Sequence, residues 1–334
     1  MWRTQAGTSG TARRVLLGFL AVTLLAVGCT SAAGSSATAG GPLITVAVVP
    51  GADNAPVMIG IKEGLFRDHG LNVAVKTYGS LQREFQALKN GSVDIAAGDY
   101  ADFFYEDAVG KASVHLVAAG YDATPNVMEV LSLPSSGIRT PHGLVHKVVA
   151  TPEPQLIPSG TGVPYSIETL AAQSVLNSGG VTPTDVTWKP TPAQNMISEL
   201  RSGKVSAILA TEPYITEAES ELGAVEVMDA CSGQTAGLPI SGYFSLAAYA
   251  SAHRAQLQQF QAALGSAQAS AAAGGSLQTM LPRFTGMSTQ NAALVTIGSF
   301  PTSLSVGQVQ RVADLMYVTG VISTPLSVSK LASG

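Results

Sequence analysis

The fold is decided by residues 54–107, which read NAPVMIGIKEGLFRDHGLNVAVKTYGSLQREFQALKNGSVDIAAGDYADFFYED. Within this stretch Val57, Ile61 and Leu65 recur at the spacing of one face of a helix. Residues 71–76 then alternate between apolar residues and others, which is the period of a half-buried strand. The stretch therefore begins with a predicted helix that leads into a predicted strand.

The flanking residues extend this alternation of helix and strand. Asn54 and Ser80 are candidate N-caps of the first two helices, residues 93–96 read as a short buried strand, and Asp99 opens a third helix. With the apolar run Ile44–Val49 in front, the order is strand, helix, strand, helix, strand. Strands joined in this way run parallel with right-handed connections. In such sheets, ligands gather at the carboxyl ends of the strands.

Two segments of the stretch also carry a family resemblance. Residues 55–73 (APVMIGIKEGLFRDHGLNV) and residues 88–99 (LKNGSVDIAAGD) resemble the first lobe of periplasmic substrate-binding proteins of ABC importers. The branch is the one that serves nitrate, aliphatic sulfonates, taurine and thiamine precursors. Residues 308–328 resemble the closing segment of the same proteins. The resemblance implies an α/β, two-lobed periplasmic-binding-protein fold, type II-like, with the ligand cleft between the lobes.

The composition is that of a folded protein. The chain has 334 residues, of which 46% are hydrophobic and 12% charged, and its formal net charge is −4. A disordered chain has few apolar residues and many charges, and a nucleic-acid-binding domain carries a basic surface. The composition therefore excludes both classes and leaves room for two domains of ordinary size.

The N-terminus predicts export and lipidation. The apolar run Val15–Val27 has the length of a signal-peptide core and is too short to span a membrane well. It ends at Ala26-Val27-Gly28-Cys29, which resembles a bacterial lipobox with Cys29 as the diacylated residue. We predict a signal peptide over residues 1–28 and a flexible tether over residues 29–42. The protein is then secreted across the cytoplasmic membrane and lipid-anchored to its outer face. A plain signal peptide with an incidental cysteine is the alternative, and the export route, general secretion or twin-arginine, stays open.

An internal echo supports two related lobes. Residues 88–93 (LKNGSV) are matched by residues 200–205 (LRSGKV), and each copy follows an amphipathic helix and leads into an apolar strand. A generic helix–glycine–strand turn also produces such a match. Together with the resemblance, the echo predicts that lobe one holds residues 43–127 and 240–334 and that lobe two holds residues 128–239.

The sequence contains no catalytic motif among those sought. Gly-x-Ser-x-Gly, the P-loop and His-Glu-x-x-His are all absent. His142 and His146 have helical spacing, but they flank Pro141 and Gly143, where a solvated turn is a better interpretation than a metal pair. Cys231 is predicted to be a small buried side chain. We therefore predict no enzymatic activity, no cofactor and no metal site.

The resemblance implies a ligand held between the lobes, on helix N-termini and loops of small residues. Free N–H groups there can bond polar atoms of a ligand. Capping is the alternative role for Ser80 and Asp99, and lobe packing is the alternative for the tyrosines. The candidates in lobe one are Gly51, Asp53, Asn54, Ala55, Gly79, Ser80, Asp99, Tyr100, Ala101 and Tyr121, and those in lobe two are Gly160, Thr161, Thr211, Glu212 and Tyr214.

The candidate loops are acidic. Carboxylates in a cleft repel an anion, more strongly where water is excluded, and nearby tyrosines can attract a cation. This pattern favours a neutral or cationic nitrogen-containing solute, such as a heterocycle of the thiamine-pyrimidine type or an amine, over a sulfonate, taurine or nitrate. In the alternative, Asp53 and Asp99 are only helix caps. The acids concerned are Asp53, Asp99, Asp102, Asp122 and Glu212.

These observations predict an extracytoplasmic solute-binding lipoprotein. It would deliver a small organic solute to an ABC permease as a monomer and would not bind nucleic acid. One alternative is a thiamine-pyrimidine synthase-like enzyme on the same fold, which needs a reactive histidine and a cysteine-rich segment; the chain has one cysteine besides Cys29. Another alternative is a lipoprotein sensor or partner-binding module that keeps the cleft but no longer serves transport.

Overall fold

The computed structural model describes residues 41–152 and 165–333, and within them the chain forms two five-stranded sheets. The signal peptide, Cys29, most of the tether, and the site candidates Gly160 and Thr161 lie outside the described residues. The strands are β1 (Leu43–Val48), β2 (Asn72–Thr77), β3 (Ile95–Asp99), β4 (Val114–Asp122), β5 (Met128–Ser132), β6 (Val148–Thr151), β7 (Thr187–Pro190), β8 (Ala207–Thr211), β9 (Val225–Asp229) and β10 (Pro239–Leu246).

The first sheet has the strand order β2-β1-β3-β10-β4. Its strands β1, β2 and β3 run parallel, as predicted, whereas β10 is antiparallel to both β3 and β4. The second sheet has the order β7-β6-β8-β5-β9, with β6 parallel to β7 and β8, and with β5 antiparallel to β8 and β9. Both sheets are therefore mixed, with one strand running against the others.

The chain passes between the sheets twice. It leaves the first sheet after Asp122 and enters the second at Met128, and it returns between Asp229 and Pro239. Because β10 pairs with both β3 and β4, the returning chain is inserted in the middle of the first sheet and not at its edge. The end of β4 and the start of β10 therefore lie where the chain passes between the two sheets.

Helices cover the sheets. None of the helices within residues 41–152 and 165–333 is both long enough and apolar enough to cross a bilayer. The helices are α1 (Ala55–Glu63), α2 (Leu65–Asp68), α3 (Leu81–Lys89), α4 (Tyr100–Ala108), α5 (Ile167–Ser178), α6 (Ala193–Arg201), α7 (Tyr214–Leu222), α8 (Ala247–Ala252), α9 (Arg254–Ala272), α10 (Gly275–Thr285), α11 (Thr289–Ala292), α12 (Val306–Val318) and α13 (Val328–Ala332).

Two helix starts differ in their capping. The Ser80 hydroxyl accepts a hydrogen bond from the backbone N–H of Arg83, so the predicted cap of α3 is confirmed. Asn54 occupies the N-cap position of α1 but makes no side-chain cap bond. Its amide donates instead to the carbonyl oxygen of Val49, 3.0 Å away, because the tight turn after β1 brings that oxygen within reach. Asn54 therefore fixes the turn that leads from β1 into α1.

The core explains why β1 reads as a nearly continuous apolar run. Ile44, Val46 and Val48 pack in one apolar cluster with Phe66 and Phe260, whose rings stack at 5.4 Å. Ala47 of the same strand belongs to the other large cluster, on the opposite face of the sheet. A strand covered on both faces loses the alternation of a half-buried strand.

Candidate functional site

The carboxyl ends of the parallel strands bring several predicted residues to one edge of the first sheet. Gly51 and Asp53 follow β1, Asp99 ends β3, and Tyr121 lies near the end of β4. Ser241, on the inserted strand β10, pairs with Asp99 on one side and with Tyr121 on the other. Its Oγ atom is buried and has no hydrogen-bond partner within the described structure. Ser241 is thus at the centre of this edge, and the sequence interpretation did not include it.

Five carboxyl groups lie close enough for their charges to affect one another's pKa values. Four come from elements of the first sheet and one from the start of α5 on the second. We call them the acidic cluster. Its members are Asp53, Glu84, Asp99, Asp102 and Glu168.

Burial and mutual repulsion raise the pKa values within the acidic cluster. Burial raises the pKa of Asp53 to about 6, and the Glu168 charge adds to this. Burial, then repulsion from Glu168 and Glu106, raises the pKa of Asp102 to about 8. The pKa of Asp99 is held well above its usual range, first by burial and then by the charge of Glu168. Carboxyl groups with no nearby cation keep their protons to unusually high pH.

The side chain of Asp99 does not cap helix α4. It occupies the N-cap position of α4, but its side chain makes no capping hydrogen bond. The alternative interpretation of Asp99 as a simple cap is therefore wrong. Its carboxyl group is available at the edge of the first sheet, between β3 and the neighbouring Ser241.

Glu84 and Asp102 belong to the acidic cluster; Asp102 was among the acids predicted for the candidate loops, whereas Glu84 was missed. Glu84 is 0% exposed, and burial holds its pKa well above the usual range. The sequence did carry a signal for it, because Glu84 stands three residues after Leu81 and four before Leu88, on the apolar face of α3. Asp102 is 8% exposed, and its Oδ1 atom has no hydrogen-bond partner within the described structure.

The three tyrosines predicted for the site lie in different environments. Tyr100 is 0% exposed and packs on Phe104 and Phe244, so its ring belongs to the core. The Tyr121 hydroxyl accepts a hydrogen bond from the backbone N–H of Gly298. Tyr214 is half-buried at the start of α7. These contacts give each ring a structural role in the described part of the chain.

Tyr165 is the tyrosine that joins the two sheets, and the sequence interpretation did not select it. It precedes α5, and its hydroxyl donates a hydrogen bond to the backbone carbonyl oxygen of Ala101 in α4. Its ring lies 5.6 Å from that of Tyr105. The predicted site residue Ala101 is thus buried and in contact with the second sheet through its backbone.

Glu212 links the end of β8 to the C-terminal part of the chain. Its carboxylate accepts hydrogen bonds from the backbone N–H and the hydroxyl of Thr216, and from the backbone N–H of Thr296 at 3.0 Å. The neighbouring Thr211 pairs with Met128 at the end of the second sheet. Contact of Glu212 with a ligand stays a prediction, and its observed bonds already give it a structural role.

The small residues predicted for the site line the loops after β1 and β2. Gly51 is needed for space, since a Cβ atom there would lie 2.4 Å from Oδ1 of Asp53. Ala55 is buried at the start of α1. Gly79 is exposed with open space beside its Cα atom, next to the half-buried Ser80.

The acidic cluster does not have the arrangement of a metal site. Within residues 41–152 and 165–333, no group of three or more histidine, cysteine or acidic side chains is placed to hold a metal ion. The charges that dominate at Asp53, Asp99 and Asp102 are those of other carboxyl groups. The arrangement can accept several hydrogen bonds from a positively charged organic group, which would replace the missing countercharge.

The protein is of the α/β class, with two mixed five-stranded sheets and with buried carboxyl groups near the carboxyl edge of the first sheet. The chain belongs to the NMT1-like family, whose model matches residues 38–277. No curated protein matches the chain significantly in sequence.

Solved structures share the fold over most of the chain. The alkanesulfonate-binding protein SsuA from Xanthomonas axonopodis pv. citri, bound to MOPS, is 18% identical with a TM-score of 0.68, over 87% of this chain and 97% of that one. The periplasmic nitrate-binding protein NrtA from Synechocystis PCC 6803 is 11% identical with a TM-score of 0.64, over 86% and 84%. The predicted α/β periplasmic-binding-protein fold is confirmed by these likenesses.

An enzyme has the same fold. The desulfurization enzyme DSZB is 12% identical with a TM-score of 0.65, over 87% of this chain and 96% of that one. At such identities the likeness extends to the fold alone. The fold therefore supports both transport binding proteins and at least one enzyme.

Proposed function

We propose that the protein is an extracytoplasmic solute-binding protein that delivers a small organic solute to an ABC importer. Its fold is that of structures named for sulfonate and nitrate binding, and it belongs to the NMT1-like family. In this proposal residues 43–127 and 240–334 form one lobe and residues 128–239 the other, and they close on the solute by hinge motion. Cys29 carries the lipid that keeps the monomeric protein at the membrane.

The proposed class of ligand is based on the acidic cluster. Burial, together with the charge of Glu168 at the start of α5, raises the pKa values of Asp53 and Asp99 at the edge of the first sheet. A protonated nitrogen placed among them would lower the free energy of the ionised acids through charge-assisted hydrogen bonds. The proposed solute is therefore a cationic or neutral nitrogen compound, such as an amine or an amine-bearing heterocycle.

An oxyanion is the second candidate, because the neighbouring structures are named for sulfonate and nitrate binding. Oxyanions favour free N–H groups at helix N-termini. At the start of α5, however, the Ser166 hydroxyl accepts from the N–H of Thr169, and the Thr169 hydroxyl accepts from the N–H of Ser166. Glu168 adds a negative charge in the same turn. The capping box uses only the Thr169 N–H of the helix, so Glu168 is the one feature of this helix start that disfavours an oxyanion.

The enzyme alternative rests on the likeness to DSZB. A nucleophilic cysteine needs a lowered pKa, but burial raises the pKa of the Cys231 thiol to about 12. Cys231 is also buried in the core. Its environment supports a structural side chain and favours binding over thiol chemistry.

A ligand survey tests the proposal. Native mass spectrometry of protein purified without denaturation would detect a co-purifying solute, and thermal shift would rank putrescine, thiamine, taurine, methanesulfonate and nitrate. We expect stabilisation by the amines, since binding to the folded state raises Tm by mass action. Stabilisation by taurine, methanesulfonate or nitrate alone would contradict the ligand class. Conversion of a bound solute to product would support the alternative that the protein is an enzyme. Normal solute uptake after deletion of the gene would support the alternative that it is a sensor.

A further inference from the structure

The start of β4 lies at the edge of the first sheet that is opposite to the carboxyl edge. β4 runs in the same direction as β1 and β3, because β10 is antiparallel to both β3 and β4. His115 is the second residue of β4 and Tyr121 is near its end. At about 3.3 Å per residue, the two are roughly 20 Å apart. A site at His115 is therefore separate from the proposed solute site.

His115 is a buried polar side chain with one ring nitrogen left free of protein partners in the described structure. It is 8% exposed, and its Nδ1 atom makes no hydrogen bond within residues 41–152 and 165–333. Ser245 pairs with His115 across β10 and β4, is 0% exposed, and has an Oγ atom that also lacks a partner there. Buried polar atoms are normally hydrogen-bonded, so atoms of this kind are available to a polar ligand.

His115 forms part of the wall of a cavity of about 170 Å³. The cavity lies between the start of β4, helix α9 and the C-terminal helix α13, and its other polar residues are Arg254, Gln258, Gln261 and Ser333. All of these side chains have hydrogen-bond donors, and Arg254 carries a full positive charge. Among the described residues, no acidic side chain lines the cavity. The lining is therefore suited to an anion.

The start of α9 adds to this positive potential. His253 is the N-cap residue of α9 but makes no side-chain capping bond, since its Nδ1 atom donates to the carbonyl oxygen of Tyr249 at 3.0 Å. The first turn of this 19-residue helix contains no acidic residue. Its N–H groups keep the partial positive charge of a helix N-terminus, in the same turn as Arg254.

We propose that this cavity binds a tetrahedral oxyanion of the phosphate or sulfate class, with Arg254 as its counterion and with the Nδ1–H group of His115 donating to it. Guanidinium groups form strong charge-assisted hydrogen bonds with oxyanions, and a helix N-terminus favours an anion. The anion would bridge α9 and Ser333, which follows α13, and so would hold the C-terminal helix in place. A free ion and the phosphate of a lipid headgroup share this chemistry.

The variant Arg254→Gln tests the site, and because Arg254 is exposed we expect the variant to fold. Thermal shift and isothermal titration calorimetry use sodium phosphate and sodium sulfate as probes, against sodium chloride at equal ionic strength to correct for the general effect of salt. We expect both oxyanions to raise the Tm of wild type more than chloride does. In Arg254→Gln, Kd should rise by about tenfold or more. Arg283→Gln, at an exposed arginine of α10, is the matched control and should bind as wild type does.

The outcomes separate this inference from the proposed function. If phosphate and sulfate stabilise wild type no more than chloride does, the inference is overturned. Equal Kd values for wild type and Arg254→Gln would place the anion elsewhere, such as between the lobes, and would also overturn it. Neither result bears on the binding of amines, which tests the proposed function by itself.

Sedimentation with phosphatidylglycerol vesicles identifies the source of the oxyanion. The Cys29→Ser variant is used, because it carries no acyl chain of its own. Co-sedimentation that is lost on adding Arg254→Gln would assign a lipid phosphate to the site. Protein that stays in the supernatant, while phosphate binds it in solution, would assign a free ion.

Discussion

The Tyr165 hydroxyl donates a hydrogen bond to the backbone carbonyl oxygen of Ala101, and this bond joins the start of α5 to the first turn of α4. The same hydroxyl lies 3.7 Å from the sulfur of Met316 in α12. Tyr165 thus joins the segment that precedes α5 to both α4 and α12. Its position next to Glu168 links these contacts to the acidic cluster.

Replacing Tyr165 by Phe should weaken these contacts. The variant keeps the ring and removes one buried hydrogen bond, so we expect the free energy of unfolding to fall by about 1 kcal/mol. Urea denaturation measures the change. Tyr317→Phe, on an exposed tyrosine of α12 that is 46% accessible, is the matched control and should be neutral. Equal stability of the two variants would show that the bond to Ala101 does not contribute.

The stability of the empty protein should fall as pH rises from 5 to 8.5. Burial raises the pKa of Asp53 to about 6 and that of Asp102 to about 8. The folded state therefore holds protons that the unfolded chain has already released. Such groups contribute stability that is present at low pH and is lost as pH passes through the raised values.

Thermal unfolding across this pH range measures the effect, and we expect Tm to be several degrees lower at pH 8.5 than at pH 5. Asp102→Asn should flatten the upper part of the profile, whereas Asp68→Asn should leave it unchanged because Asp68 is exposed. A Tm that rises with pH over this range would contradict the raised pKa values of the acidic cluster.

Glu212 should matter more for stability than a surface glutamate. Its carboxylate accepts three hydrogen bonds, two from Thr216 and one from Thr296. Glu212→Ala leaves these donors without their charged acceptor, and we expect a loss of about 2 kcal/mol in the free energy of unfolding. Glu221→Ala breaks the exposed ion pair with Arg201 between α6 and α7 and should cost about 0–1 kcal/mol. Equal losses would argue against the structural role of Glu212.

Cys29 should carry the membrane anchor. Each buried CH₂ group of an acyl chain contributes about 0.8 kcal/mol, so several chains on one cysteine hold a protein firmly. We expect Cys29→Ser to appear in the medium while wild type stays with the membrane fraction. Mass spectrometry of the N-terminal peptide should detect lipid on wild type. A membrane-bound Cys29→Ser variant, together with an unmodified wild-type peptide, would exclude the anchor.

Much of the first sheet was predictable because its signals are local. The spacing of Val57 and Ile61 predicted α1, the alternation over residues 71–76 predicted β2, and Ser80 predicted the start of α3. Leu65 was predicted on the same helix face, but it lies in α2 because Gly64 ends α1 in the left-handed conformation. The helical conformation is interrupted at His253, between α8 and α9, where the His253 ring stacks on Tyr249 at 4.1 Å. Such interruptions depend on packing that a propensity does not contain.

The candidate site was only partly predictable. Asp53 and Asp99 were found because they follow strands at the carboxyl edge of a parallel sheet, a position that the sequence reveals. Glu168 and Ser241 are distant in sequence from both, and nothing in their own neighbours marks them. Tyr165 precedes a helix like many other tyrosines, and only its bond to Ala101 gives it a role.

The sequence by itself determined the class of fold, the order of its strands and helices along the chain, and the acidic character of the loops after β1 and β3. These follow from periodicity, capping and charge, which act between residues near each other in the chain. Only the tertiary structure decided that β10 enters between β3 and β4, that Ser241 thereby lies between Asp99 and Tyr121, and that the charge of Glu168 acts on the acids at the edge of the first sheet. The reason is physical: the pKa values depend on burial and on charges brought together by folding, and no local pattern encodes those distances.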